Sequence, residues 1–485
     1  MFNLITRVFV LVALITSVFF ASVTYGMGTP STVYGINPPN TTDNATITNS
    51  DTVSVTGTGT NEKAFGISSV ANNATINNTL IGTINATATQ TGTISGSFNS
   101  NQAYGIYSQG DSNTLTNSGI INATATQTGT ISGSFNSNGA YGIFLQGDSN
   151  TLTNSGNIYS TTKGDGGAYG IFSLGDSNTI TNSGNITATV GDNGEAIGIL
   201  SEGYSNTTTN SGIITATTGD NGTAYGIYSS RPGNTITNSG TISASGGAGS
   251  TAVAIQNYGI LTSLTNSGTI SGPVAIDSTA AGISSIGTIT NSGTIDGDIN
   301  ISGQDVTILG GSGSKVGALT GGTITLTSGK NLTFGSGSQL LADNINVGTG
   351  TVTNEGSLYL NSTQSITGNY AQTSASTYNT SVNGQLNVSD TANLAGTFNA
   401  TGGNGINGNT RWTVMTATKG VTGSYSNVTS DLDLVNFALA YDANDVYMTA
   451  QANYTSAATN QNQLAVHQVF NHPSTAHRQR LGSRF

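Results

Sequence analysis

The sequence contains no cysteine, and only 7% of its 485 residues are charged. It therefore has no disulfide framework, and it differs from the charge-rich composition of disordered tails. An exported chain without cysteine also forms no disulfide that could obstruct its passage across a second membrane, although chance in a low-complexity sequence would explain the absence equally well. The composition excludes a disulfide-stapled secreted domain.

Basic residues are equally scarce. The chain has 11 Lys and Arg against 22 Asp and Glu, which gives a net charge of −11 and a sequence pI near 4.4. Binding to nucleic acid depends on basic residues that neutralise phosphates. We therefore expect no nucleic-acid partner.

Long hydrophobic runs are missing except at the N-terminus. There Arg7 precedes an apolar run from Val8 to Phe20, and the small residues around Gly26 offer a cleavage site. This order is typical of a signal peptide. The run is shorter than the ~20 residues that span a bilayer. We predict a signal peptide over residues 1–26, export, and no stable membrane insertion of the mature chain.

What the sequence does contain is repetition. The tetrapeptide Thr-Asn-Ser-Gly recurs with offsets of 37, 28, 28, 28, 28 and 25, beginning at Thr116, Thr153, Thr181, Thr209, Thr237, Thr265 and Thr290. A second marker, Ala-Tyr-Gly-Ile or a close variant, keeps the same frame from Ala103 to Ala252. Two independent markers with one period are the signature of a repeat architecture.

Within one repeat, apolar and polar residues alternate, as in Thr179-Ile180-Thr181 and Ile186-Thr187-Ala188-Thr189-Val190. Alternation predicts strands, here three per repeat, each too short to bury a sheet face alone. We expect an all-β, right-handed parallel β-helix of ~21–28-residue coils, with Ile180 above counterparts such as Ile236. The Asn-Ser-Gly corner should use a left-handed backbone, and Asn182, Asn210 and Asn238 should form a hydrogen-bonded ladder.

These patterns divide the chain into six regions. They are a signal peptide (1–26), an N-terminal cap region (27–63), repeats with the 28-residue period (64–300), less regular coils (301–405), a C-terminal junction or cap (406–460) and a tail (461–485).

The C-terminal part resembles a known family. The segments Gly368–Thr373, Gly384–Val388 and Ala392–Phe398, followed by Trp412–Met415 and Val446–Met448, are similar to the last coils of autotransporter passenger domains. The resemblance implies a secreted passenger at the surface of a Gram-negative bacterium. In that family a membrane barrel of a few hundred residues follows. Because this sequence ends at Phe485, we expect a passenger without its own barrel, held in the periplasm unless a separate outer-membrane translocator exports it.

Three motifs could carry chemistry. Gly-Asp-Ser-Asn, at Gly110, Gly147 and Gly175, resembles a serine nucleophile loop but has no histidine base before residue 467. Gly-Asp-Asn-Gly, at Gly191 and Gly219, offers one carboxylate per loop, too few for calcium. His467, His472 and His477 are spaced by five, which does not suit a helical metal site. We therefore assign no catalytic, cofactor-binding or metal-binding residue, and expect no enzyme.

Elimination leaves a surface-display or adhesin-like rod, with a host or neighbouring cell surface as partner. Two alternatives remain open. A polysaccharide-acting enzyme would need acids and bases on one face, whereas the acids here are spread through turns. An ice-binding protein would need a Thr-x-Thr pair in every coil of one face; Thr87-Ala88-Thr89 suggests this, but Tyr159-Ser160-Thr161 and Ile242-Ser243-Ala244 break it.

Overall fold

A computed structural model describes residues 21–24, 32–59, 62–90, 101–127, 138–164, 166–280, 284–402, 410–432 and 435–452. Within these ranges the regular structure consists of 44 strands, without a helix, so the described residues include no membrane-spanning helix. Most of the predicted signal peptide and all three histidines lie outside the described residues. The fold is a parallel β-helix.

The chain divides into two compact units. Unit 1 comprises residues 1–306 and 320–325, and unit 2 comprises residues 307–319 and 326–485. The boundaries between the two units fall within three short strands, which are β28 (Val306–Leu309), β29 (Gly317–Thr320) and β30 (Thr323–Leu326).

Each coil of unit 1 contributes one strand to each of three faces, which we call faces A, B and C. Face A consists of β2 (Thr32–Asn40), β5 (Lys63–Ser69), β8 (Gln102–Gln109), β11 (Gly139–Gln146), β14 (Gly167–Leu174), β17 (Glu195–Glu202), β20 (Thr223–Ser229) and β23 (Thr251–Asn257). Face B consists of β3 (Thr46–Asn49), β6 (Thr75–Asn78), β9 (Thr114–Asn117), β12 (Thr151–Asn154), β15 (Thr179–Asn182), β18 (Thr207–Asn210), β21 (Asn234–Asn238), β24 (Ile260–Asn266) and β26 (Ser285–Asn291).

Face C consists of β1 (Ala21–Thr24), β4 (Thr52–Thr58), β7 (Thr83–Gln90), β10 (Ile120–Gln127), β13 (Asn157–Lys163), β16 (Asn185–Val190), β19 (Ile213–Thr218) and β22 (Thr241–Gly246). Two longer strands, β25 (Thr269–Ser278) and β27 (Thr294–Ile301), continue both face C and face A. Strand β1 lies inside the predicted signal peptide and pairs with β4.

Parallel in-register pairing aligns equivalent residues of successive coils, as predicted. On face C, Ile158 pairs with Ile186 and Ile186 pairs with Ile214, and all three are fully buried. Alternation along each strand therefore places one set of side chains in the core and the other outside. Two coils are longer than predicted, with 39 residues from Asn78 to Asn117 and 37 from Asn117 to Asn154. Their extra residues fall between the face C and face A strands, so the register is unchanged.

Ile180 and Ile236 lie in one inward column, as expected, with Thr208 between them. The direct partners of Ile180 are Leu152 and Thr208, and Thr208 is also buried. The expectation about the corner was wrong, because the corner glycines do not require a left-handed backbone. Position 184 requires glycine because a Cβ atom there would lie only 2.0 Å from the carbonyl oxygen of Gly156 in the preceding coil. Close stacking of coils, and not turn geometry, excludes a side chain at this corner.

The predicted asparagine ladder is confirmed and is longer than predicted. Each asparagine donates its Nδ2 hydrogen to the Oδ1 of the next over 2.7–2.9 Å, and the ladder runs through Asn49, Asn78, Asn117, Asn154, Asn182, Asn210, Asn238, Asn266 and Asn291. All nine are buried. Every amide points in the same direction along the stack, so the hydrogen bonds polarise one another.

A second buried ladder joins side chain to backbone. The Oδ1 atoms of Asn150, Asn178 and Asn206 each accept the N–H of the equivalent residue one coil earlier over 2.7 Å. The two ladders satisfy polar groups that would otherwise be buried at the corners without partners. They make the stack of coils dependent on register.

Unit 2 has shorter coils, with 21 residues between Asn344 and Ser365. Its strands are β31 (Leu332–Phe334), β32 (Ser338–Leu341), β33 (Asn344–Asn354), β34 (Ser357–Leu360), β35 (Thr363–Gln372), β36 (Thr377–Thr380), β37 (Gln385–Val388), β38 (Ala392–Leu394), β39 (Thr397–Ala400), β40 (Arg411–Ala417), β41 (Val421–Gly423), β42 (Asn427–Ser430), β43 (Val435–Tyr441) and β44 (Asp445–Ala452). Buried aromatic rings replace isoleucine columns here: Phe398 lies 5.9 Å from Tyr378 and 5.4 Å from Tyr425, between ring centroids.

Two antiparallel pairings terminate unit 2. Strand β40 continues the parallel stack on β37, whereas β44 runs antiparallel to both β40 and β43. An antiparallel hairpin covers the edge that the last coil would otherwise expose. Among the aromatic and leucine side chains of this segment, Tyr425 is buried, Trp412, Phe437, Leu439 and Tyr447 are half-buried, and Tyr441 is exposed. The other buried apolar residues are Val414, Met415, Ala417, Val446, Met448 and Ala450.

We predict that Ile180→Ala lowers the free energy of unfolding by about 2 to 5 kcal/mol, because it leaves a cavity in a fully packed column. The control is Glu202→Ala, since Glu202 is exposed and should change stability by about 0.5 kcal/mol or less. Asp192 is a poorer control, because its Oδ1 accepts the N–H of Asp220. Equal shifts in thermal unfolding for Ile180→Ala and Glu202→Ala would show that the inward and outward assignment is wrong.

Replacing Asn182 with alanine tests the ladder. The substitution removes the partner of Asn210 Oδ1 and one of the two partners of Asn154 Nδ2, which keeps its bond to the carbonyl oxygen of Gly156. We expect a cost of about 1 to 3 kcal/mol for each buried group that loses a bond. Asn185→Ala is the matched control: it removes a 2.9 Å amide pair with Asn157 on the outer face, where water can replace it. Denaturant unfolding of both variants measures the difference, and similar costs would contradict a special role for burial.

Deleting residues 411–450 should lower the yield of refolding, because it removes the hairpin that closes the last coil. Repeat proteins need such terminal caps. Deleting the tail 461–485 provides the control. Refolding from denaturant, followed by circular dichroism, measures both yields, and an unchanged yield after the first deletion would refute the capping role.

Candidate functional surfaces

The Gly-Asp-Ser-Asn motifs form stacked turns. Ser112, Ser149 and Ser177 adopt a left-handed backbone, with φ of 58–59°. The Oδ1 atoms of Asp111 and Asp148 each accept the backbone N–H of the aspartate in the next coil over 2.8 Å. The positive φ and the aspartate therefore serve the turn and the stacking of coils. Within the described ranges, no hydrogen bond joins the hydroxyls of these serines to a basic side chain.

The Gly-Asp-Asn-Gly motifs are built in the same way. Asn193 and Asn221 have φ of 58° and 53°, and the Oδ1 of Asp220 accepts the N–H of Ala248. Stacking thus aligns acids that look dispersed in the sequence. Even so, no three His, Cys, Asp or Glu side chains come close enough to hold a metal ion within the described ranges.

Aromatic side chains form a strip along the outside of face A. The strands that carry these rings have a central glycine such as Gly105, where a Cβ atom would lie 2.2 Å from the buried Ile121. The rings on either side of this glycine form two outward ranks. The first rank contains Tyr34, Phe65, Tyr104, Tyr141 and Tyr169, and the second contains Tyr107, Phe144 and Phe172.

Rings within each rank stack nearly parallel, with centroids 4.7–5.3 Å apart and planes within 17°. Rings of different ranks meet edge to face, as do Tyr169 and Phe172 at 5.2 Å. The stacking therefore covers the ring faces on which a sugar would lie. Burial raises the pKa of Tyr141 to about 12, so its hydroxyl stays protonated at neutral pH. The hydroxyl of Tyr169 donates to Oε2 of Glu195 over 2.7 Å. We interpret the strip as a stabilising ladder.

Face B carries two ranks of outward threonines, which we call the threonine face. In-register pairing stacks Thr46, Thr75, Thr114, Thr151, Thr179, Thr207, Thr235, Ser263 and Thr288 in one rank. The second rank, two residues along each strand, contains Thr48, Asn77, Thr116, Thr153, Thr181, Thr209, Thr237, Thr265 and Thr290. None of these side chains is buried, and none is charged.

The threonine hydroxyls do not satisfy one another. Of the threonines in the two ranks, only Thr207 and Thr235 join their hydroxyls in a hydrogen bond, over 3.3 Å. The buried asparagines of the same strands, by contrast, are all paired. The threonine face therefore presents a regular array of methyl groups and hydroxyls that remain available to solvent.

Sequence reasoning examined the wrong strand for this pattern. The notable pair was Thr87-Ala88-Thr89, which lies in β7 on face C. There the column beside Thr87 contains Tyr159 and Ser243, and the column of Thr89 reaches Lys163. On face B, seven of the nine strands carry a Thr-x-Thr pair, and only Asn77 in β6 and Ser263 in β24 interrupt it. The repeat that marked the corner already contained this signal.

Comparison with protein-family models gives no match, and comparison with curated proteins also gives none.

Proposed function

We propose that the chain is a non-enzymatic, exported display scaffold with an adhesin-like role, the passenger of an autotransporter-like system. Its partner would be a host or neighbouring cell surface, with a separate outer-membrane translocator as a further partner. The main observation behind the proposal is that the polar side chains hydrogen-bond to neighbouring coils. The asparagines and turn aspartates that could supply chemistry instead join one coil to the next.

The coils that resemble the passenger family also support this proposal. Tyr370, Leu386, Leu394 and Phe398 lie in the segments that carry the resemblance, and they are all buried in unit 2, as is Tyr378 between these segments. Tyr378 donates its hydroxyl to the carbonyl oxygen of Val414, which links this segment to β40. The segments that resemble the passenger family thus supply core residues of the final coils, where neighbouring coils pack on one another.

A polysaccharide-acting enzyme finds less support. Acid–base hydrolysis needs two carboxylates in different environments, one protonated and one ionised. The turn aspartates Asp111 and Asp148 instead repeat the same exposed position and the same hydrogen bond. Their equivalence offers no division into acid and nucleophile.

Expression of the full chain in a Gram-negative host tests the export part of the proposal. We expect the mature protein to begin near Met27 and to occur in the periplasm or at the surface, as measured by N-terminal sequencing of cell fractions. Leu14→Arg, which interrupts the apolar run, is the control and should leave the chain uncleaved in the cytoplasm. An uncleaved wild-type chain in the cytoplasm would refute the proposal.

The adhesive role has its own measurement. Beads coated with the folded chain should bind bacterial or host cells, and beads coated with the heat-unfolded chain should not. Equal binding by both preparations would show that adhesion does not depend on the β-helix.

A further inference from the structure

We propose that the threonine face of unit 1 binds the surface of ice. This inference goes beyond the display role and does not depend on it, because it requires only the folded chain. It rests on the spacing, the chemistry and the uniformity of the two threonine ranks.

The spacing is that of a parallel sheet. Hydroxyls repeat about 4.8 Å apart from coil to coil, and about 6.6 Å apart between residues i and i+2 of one strand. These two distances are close to repeats of oxygen atoms on a prism face of ice. Pairing runs without a register shift from β3 through β21, so the array keeps its regularity over seven coils.

The side-chain chemistry suits a lattice of water. A methyl group orders the water beside it, and a hydroxyl with no protein partner can anchor that water by a hydrogen bond. Threonine also has few rotamers, so little side-chain entropy is lost on binding. Strongly hydrated ammonium or carboxylate groups, which would hold water in a different arrangement, are absent from all eighteen positions.

Uniformity of the ranks is an independent observation. The inward residue between the two threonines changes from Leu152 to Ile180, Thr208 and Ile236 in successive coils, despite its packing constraints. The outward threonines on either side do not change in these coils. On face C, one outward column varies and reads Asn122, Tyr159, Thr187, Thr215 and Ser243, whereas the next column keeps threonine from Thr56 to Thr217. Two nearly constant threonine columns side by side are therefore particular to face B.

A crystalline polysaccharide is the other flat, repetitive ligand to consider for the threonine face. Binding of sugars usually employs exposed ring faces, since the negative face of an aromatic ring attracts C–H groups. The two threonine ranks contain no ring, and the rings of face A cover one another. Ice therefore fits the threonine face better.

The test uses the purified full chain, labelled with a fluorophore, in a growing ice hemisphere and in a thermal-hysteresis measurement. The wild type should enter the ice and depress the freezing point below the melting point. Thr181→Lys places a long charged side chain in the middle of the threonine face, and should lower the hysteresis about twofold or more by holding the two surfaces apart.

Thr187→Lys is the matched control. Thr187 lies in the same coil and is similarly half-exposed, but it points outward from face C. This variant should retain full hysteresis, and circular dichroism should show unchanged melting for both variants.

Three results of the ice measurements would overturn the proposal. They are exclusion of the wild type from ice, equal loss of hysteresis in the two variants, and retention on crystalline cellulose or chitin without entry into ice. Sedimentation of the wild type and Thr181→Lys detects self-association through the same face; a dimer abolished by Thr181→Lys, without ice binding, would likewise overturn it. Export and cell adhesion are measured separately, so failure there leaves this test intact.

Discussion

Hydrogen bonding between successive coils is the constraint on which the rest of the structure depends. A strand of four residues, such as Thr179–Asn182, cannot bury a sheet face or satisfy its backbone alone. It is stable only when it pairs with a strand in the coil above and a strand in the coil below. The polar groups at the corners then also need hydrogen-bond partners in those neighbouring coils. The asparagine ladders supply those partners, since Asn182 accepts from Asn154 and donates to Asn210. A shift of register would break the backbone pairing and both ladders together.

This constraint explains why much of the fold could be predicted from the sequence. Alternation in Ile186-Thr187-Ala188 gives the strand and its inward face, and the fixed period gives parallel stacking in register. What failed were inferences that treated one repeat in isolation. Gly184 looks like a turn glycine within its own coil, but the reason for it is the carbonyl oxygen of Gly156 in the preceding coil. Likewise, the left-handed residues are the turn residues Ser177 and Asn193.

The candidate surface was harder to predict for the same reason. A Thr-x-Thr pair has no meaning in a single strand, because its significance depends on which strand stacks on it. Sequence reasoning noticed Thr87 and Thr89 but could not determine that each strand of the 28-residue coil belongs to a different face. The observed register distinguishes the variable column around Tyr159 from the two ranks around Thr181, in which only Asn77 and Ser263 are not threonine.

Because the repeats are similar in sequence, in-register stacking places residues of the same type in columns. A column of identical residues therefore does not by itself indicate function. The useful comparison is among columns that share one architecture. Paired columns, such as Asn182 with Asn210 or the rings of Tyr104 and Tyr141, use their chemistry on themselves and are explained by stability. Face C combines a variable column around Tyr159 with a constant threonine column that includes Thr87 and Thr217. The threonine face differs from both, because its hydroxyls are almost all without protein partners while its residue type is nearly constant. Strand propensity favours threonine at any outward position, as the column from Thr56 to Thr217 on face C shows, so a constant residue type does not by itself require a ligand. The proposed contact with ice rests instead on two such columns side by side, with a spacing and a chemistry that suit a lattice of water.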